Sequence, residues 1–270
     1  MLTVLAAALL AQAHVHESEA GAASGKDAAV PMFQLAHQLD PDAPKPEGTT
    51  TKLQVAGQSS EAYLARPRGK PRGALLVLQE YWGLNDWIKH QADQLAKEGY
   101  LALAVDLYKG KVASTPAEAV ELMKAKDEAW GDQLEEAGLE WLKRNASGSK
   151  VGTIGWCMGG GESLKASLND PKDVRFTIIY YGMPITDVAR LKTLRGPVLG
   201  IWAKRDRSIT PEKVAAFDQA LTEAGVKHEF HSYDAEHAFA NPSGGRYNPE
   251  AAKDAWDKTL KFLDANVRSK

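Results

Sequence analysis

Gly155-Trp156-Cys157-Met158-Gly159 sets the chain's one cysteine inside a G-x-nucleophile-x-G spacing, after the apolar run Lys150 to Ile154 and before Gly160-Gly161-Glu162-Ser163-Leu164. A thiol held there can attack a carbonyl carbon if a base takes its proton and donors receive the oxyanion. A sharp strand-to-helix reversal strains the backbone at the nucleophile, and small residues two positions away leave it room. The N–H of Met158 then lies at a helix N-terminus, where it can donate to an oxyanion and where the dipole favours an anionic nucleophile. The plainer reading is a buried cysteine in a glycine-rich connection, and a lone cysteine is usually that. The downstream residues favour the nucleophile.

Two loops supply its partners. Lys204-Arg205-Asp206-Arg207-Ser208 follows the apolar run Val198–Ala203, and Tyr233-Asp234-Ala235-Glu236-His237-Ala238-Phe239 follows Lys227–Ser232. The order Cys157, Asp206, His237 is that of an α/β-hydrolase triad. His237 would take and return the proton, while Asp206 would hold the imidazole's tautomer and stabilise its charged form. Asp234 is nearer to His237 in sequence, but a residue three positions away in the same loop is poorly placed to orient the ring. His228 and His231 point to opposite faces of one strand and His90 lies on a surface helix, which makes structural or solvated roles the cheaper reading. The loop Glu80-Tyr81-Trp82-Gly83-Leu84-Asn85-Asp86 offers the Tyr81 N–H as the second oxyanion donor. A carboxylate near a thiol, here Glu80, would control when the thiolate appears. A glutamate facing water is the alternative.

These residues need a scaffold, and the pattern from Lys52 onward alternates short apolar runs with longer amphipathic ones. That signals a mostly parallel central sheet with helices on both faces, an α/β class. Strands are predicted at Lys52–Ala56, Ala62–Arg66, Ala74–Gln79, Leu101–Asp106, Lys150–Ile154, Phe176–Tyr181, Val198–Ala203 and Lys227–Ser232. Helices are predicted at Asp86–Glu98, Pro116–Lys126, Asp127–Arg144, Gly160–Leu168, Pro211–Ala224 and Pro249–Val267. Right-handed crossovers would bring the C-terminal strand ends to one edge, where chemistry should sit.

With 270 residues, 44% of them hydrophobic, the chain can bury a full α/β core. A net charge of −2 with no basic stripe argues against a nucleic-acid partner and for a small-molecule one. Leu2 to Leu10 is apolar but too short to span a bilayer, and Ala11-Gln12-Ala13 is a small-x-small cleavage pattern. The expected organisation is a signal peptide over 1–13 with export, a flexible tail over 14–48 and a catalytic domain over 49–270. Cleavage after Ala13 would expose His14 and His16, which with the free amine can form a square-planar Cu(II) or Ni(II) site. An incidental tail is the simpler reading, and neither cofactor nor metal is expected. Oligomeric state is not legible at this level.

Taken together, Gln79-Glu80-Tyr81-Trp82-Gly83-Leu84-Asn85, Val105-Asp106-Leu107-Tyr108, Gly155-Trp156-Cys157-Met158-Gly159-Gly160, Tyr180-Tyr181-Gly182 and Glu236-His237-Ala238-Phe239 resemble the dienelactone hydrolase family. The resemblance runs from about residue 50 to 267. It implies one α/β-hydrolase domain without cofactor, Cys157, Asp206 and His237 as triad, and Glu80 bonded to a resting thiol that it releases when substrate binds. The expected reaction is hydrolysis of small esters or lactones through an acyl-enzyme. An amidase or peptidase with the same triad, or a non-catalytic binding homologue, is the alternative. Family members that act on dienelactone hold its carboxylate with an Arg after the Leu-Tyr motif and a Ser and an Arg around the catalytic His. Here Lys109-Gly110 and Ala238-Phe239-Ala240-Asn241 stand instead, and Lys is no geometric substitute for a bidentate guanidinium. That argues against dienelactone itself. The expected pocket comprises Trp82, Tyr108, Lys109, Tyr181, Arg205, Arg207 and Phe239, with Lys109, Arg205 and Arg207 as the cations that could draw an anionic substrate.

Overall fold

Alternation along the central strands assigns each side chain to one of two helical layers. In the computed structural model, which describes residues 45–267, Leu75 and Val77 of one strand join a core cluster with Ile88, Leu95, Phe262 and Leu263. Their neighbours Ala74, Leu76 and Leu78 join Trp130, Leu134, Leu139 and Leu142 on the other face. A strand buried on both faces reads as a continuous apolar run, as these do.

The elements follow the order β1 (Thr49–Val55), β2 (Gln58–Ala65), β3 (Gly73–Leu78), α1 (Asp86–Lys97), β4 (Tyr100–Val105), α2 (Pro116–Lys124), α3 (Glu128–Asn145), β5 (Val151–Trp156), α4 (Met158–Asn169), β6 (Val174–Tyr180), α5 (Val188–Leu191), β7 (Val198–Ala203), α6 (Pro211–Ala224), β8 (His228–Tyr233) and α7 (Pro249–Val267). Sheet order is β1-β2-β4-β3-β5-β6-β7-β8. β1 pairs antiparallel with β2, and β2 with β4, while every pairing from β4 to β8 is parallel. All eight predicted strands form, with ends moved by a few residues. α4 starts at Met158, two residues before the predicted Gly160, and the four-residue α5 was not predicted.

Helix starts carry their own signals. Asn85, Thr115 and Asp127 cap α1, α2 and α3, each accepting a backbone N–H with its side chain, and Pro116 and Pro211 open α2 and α6. The parallel register aligns Leu78 with Gly155 and Ala203 with Tyr233, so the loops after β3, β5, β7 and β8 leave from one edge. Of the expected tail, Glu47 and Gly48 are tied in, donating their N–H groups to Asp93 and to the Tyr63 hydroxyl. The expected signal peptide, most of the expected tail, and His14 and His16 lie outside the described residues. Among the described residues no helix is long and apolar enough to cross a membrane.

Candidate active site

Cys157 is the single residue between β5 and α4, with φ 56° and ψ −120°. A non-glycine residue is strained there and must be held by its surroundings. The holding is steric. A Cβ added to Gly155 would stand 2.0 Å from the Gly159 carbonyl oxygen, and one at Gly159 would stand 2.3 Å from the Leu78 carbonyl oxygen. Only glycine at both positions lets the turn close on itself and on β3. Backbone bonds complete the frame: the Cys157 N–H donates to the Tyr180 carbonyl at 3.0 Å, and its own carbonyl accepts from Gly160 at 3.0 Å. The thiol makes no cap to α4. As the first helical residue, Met158 has an N–H that α4 cannot satisfy.

Asp206 is fixed by its own loop, one carboxylate oxygen accepting from the N–H groups of Ser208 at 2.8 Å and Ile209 at 2.9 Å. The other oxygen is 2.5 Å from His237 Nδ1. Since an ionised carboxylate only accepts, Nδ1 carries the hydrogen. Burial works against a charged ring, yet the Asp206 bond and the influence of the Cys157 side chain outweigh it and raise His237 to about 10. Burial likewise opposes charge on Asp206, but the His237 and loop N–H bonds keep its carboxyl below the usual range. The rival Asp234 is engaged with Arg205, at 3.3 Å from its Nε. His228 bonds to Asp218 and the Val226 carbonyl, His231 bonds to Glu229, and neither lines the cavity around Cys157.

Glu80 does not face water. It is 1% exposed, and its Oε2 accepts from Asn241 Nδ2 at 2.7 Å. Burial pushes its carboxyl up to about 7, against the Asn241 bond and the charges of His237 and Arg246, which pull it down. The ring of Tyr181, itself at φ 39°, packs 5.2 Å from the His237 ring.

These groups border one cavity of about 830 Å³. Its lining holds Glu80, Tyr81, Trp82, Cys157, Met158, Tyr181, Arg205, Asp206, Arg207 and His237, which brings most of the predicted residues together. Three predicted pocket residues stand outside it. Lys109, at φ 55°, turns its ammonium to the Trp130 ring at 4.4 Å. The Tyr108 hydroxyl bonds to Met158 Sδ at 3.2 Å behind the wall, and Phe239 is wholly buried against Tyr181 and Tyr233. Sequence reading missed Met123, Met183, Ile185, Ile209 and Arg246, all of which line the cavity. No periodicity marks them. Asn241, which holds Glu80, lies in the stretch after His237 that stands out in the sequence only for lacking the Ser and Arg of related enzymes.

A model of the dienelactone hydrolase family matches residues 60–267. A protein of Saccharolobus solfataricus named "Putative carboxymethylenebutenolidase" is 32% identical over 248 residues, covering 77% of this chain and 94% of that protein. The chain belongs to the dienelactone hydrolase family. Protein usf of Aquifex pyrophilus is 30% identical, covering 80% of this chain and 97% of that one. A crystal structure described as a dienelactone hydrolase of Klebsiella pneumoniae superposes with a TM-score of 0.73 at 27% identity, over 80% of this chain and 98% of that one. This dienelactone hydrolase relative therefore has the α/β-hydrolase fold, and it is a carboxylic ester hydrolase.

One carboxylate cluster lies close enough to suggest a metal. Ligand atoms of Asp132, Glu135 and Glu162 fall within 4.8 Å of one another. Lys165 already supplies the cation, its Nζ standing 2.9 Å from Asp132 and 2.6 Å from Glu162, and the buried Lys126 ammonium is 2.5 Å from Glu162. Burial and the charge of Glu162 hold Glu135 well above the usual carboxylate range. The cluster is a compensated ion network in this hydrolase.

Proposed function

We propose that the chain hydrolyses carboxylic esters, lactones included, through a thioester on Cys157. The observation that carries this is the His237 imidazole, bonded at Nδ1 to Asp206 and lining the same cavity as Cys157. Cys157 Sγ attacks the carbonyl carbon as its proton passes to His237. The oxyanion forms against the N–H groups of Met158 and Tyr81. The tetrahedral intermediate collapses with cleavage of the ester C–O bond, and His237 returns the proton to the leaving alkoxide. Water then attacks the thioester, giving its proton to His237; the C–S bond breaks, the acid leaves, and His237 returns that proton to the Cys157 sulfur.

Asp206 keeps the Nδ1–H tautomer and stabilises the imidazolium through both halves of the cycle. Glu80, poised near neutrality beside this centre, serves as the local control on the charge state of the thiol. The test is hydrolysis of p-nitrophenyl butyrate by the native protein and by Cys157→Ala and His237→Ala. Loss of turnover in both variants, with unchanged melting temperature, is expected. Native rates in Cys157→Ala would overturn the mechanism.

A further inference from the structure

Among the described residues, four large hydrophobic side chains are exposed, and two of them, Met123 (39%) and Met183 (51%), line the cavity that holds Cys157. Single exposed hydrophobics are ordinary, but two at one cavity ask for a ligand that covers them. Each continues an apolar mass. Met123 follows Leu122 in α2, which packs on the Trp82, Ala113 and Ala119 cluster; Met183 lies two residues before Ile185, which packs with Ile209 on the cluster around Trp202 and Phe217. Two separate hydrophobic clusters thus reach the same space.

The charges along the lining largely cancel. Lys165 is paired with Glu162, Arg205 with Asp234 and Asp206 with His237. Two further basic residues, Arg207 and Arg246, and two further acidic ones, Glu80 and Glu236, also line the cavity, which at about 830 Å³ is near the upper end of the roughly 300–1,000 Å³ range of sites for drug-sized ligands. A monocyclic lactone leaves most of it to water. Methionine suits such a wall because its unbranched, polarizable thioether adapts to chains of differing shape.

We propose that this site takes esters with an extended apolar acyl chain, seated between Met123 and Met183, in preference to compact lactones. The inference rests on the thioester mechanism above, because the acyl group is the part that must stay seated while water attacks. A fully buried methylene is worth about fourfold in binding. Four added methylenes in a partly open cavity should then give at least about tenfold.

The experiment measures kcat/KM for p-nitrophenyl acetate, butyrate, hexanoate and octanoate with the native protein and with the double variant Met123→Ser, Met183→Ser. The expected native result is a rise of at least about tenfold from acetate to hexanoate, and a flatter rise in the variant caused mainly by higher KM. Both methionines are solvent-exposed, so the variant should fold. Thiol-dependent turnover that is fastest with acetate, or a rise that the variant leaves unaltered, would overturn this inference and leave the mechanism standing. No turnover across the whole series would overturn both.

Discussion

Asn241 Nδ2 donates to Glu80 Oε2 at 2.7 Å, and the amide cannot turn round to break that bond. Its Oδ1 is held by the N–H of Ser243 at 2.9 Å and the hydroxyl of Ser243 at 2.5 Å, which fixes the donor end toward Glu80. All three residues are buried. A carboxyl of midpoint about 7 in the lining of the Cys157 cavity is thus held by a residue 161 positions further along the chain.

Removing that donor should cost more when Glu80 is charged. Asn241→Ala is expected to destabilise by about 1 kcal/mol at pH 5, where Glu80 is protonated, and by about 2–3 kcal/mol at pH 8. Urea denaturation at the two pH values checks this. Equal losses would show that Asn241 does not serve the carboxylate.

Glu80 also predicts the sign of a pH dependence. Its carboxyl is raised from 4.5 to about 7 on folding, so the stability it contributes is present below about 4.5 and lost as pH rises through about 7. The loss is about 3 kcal/mol for a shift of this size. Glu80→Gln should remove that slope, and the difference between variant and native stability, taken from pH 4.5 to 8, isolates it from other groups.

For Asp206→Asn the amide can still fill the space but cannot hold an imidazolium. His237, raised to about 10 in the native fold, should fall below that value, and kcat should drop by at least about 10². Steady-state kinetics with p-nitrophenyl butyrate and NMR titration of the His237 ring read the two effects. Full activity in this variant would remove Asp206 from the mechanism.

The buried Glu135 makes a prediction away from the cavity. Neither of its carboxyl oxygens has a hydrogen-bond partner, and its raised midpoint means that its favourable neutral form is lost with rising pH. Glu135→Met should therefore stabilise the protein by about 1–3 kcal/mol, with the larger gain at pH 8. Destabilisation at pH 8 would indicate that the ion network around Lys165 depends on this carboxylate.

Much of this arrangement was legible in the sequence because each feature is local. Gly155 and Gly159 announce a turn that only glycine can close, and the order Cys157, Asp206, His237 follows from the succession of strand ends. Other features were not local. β1 and β2 read as apolar runs like the rest, and nothing in their pattern marks them as antiparallel. The start of α4 hides in glycines, and α5 is a single turn. The pocket was read least well, since a residue's place after a strand does not tell where its side chain goes. Lys109, in a left-handed conformation, swings to Trp130, while Met123 and Arg246 arrive from distant segments.

The proposed mechanism places the acyl group on Cys157. Rapid acid quench of the native protein with p-nitrophenyl butyrate, followed by peptide mass mapping, tests it directly. The expected result is a butyryl mass increment on the peptide containing Cys157, with neither increment nor turnover in Cys157→Ala. Turnover that persists in Cys157→Ala, or an acyl increment on another residue, would contradict it.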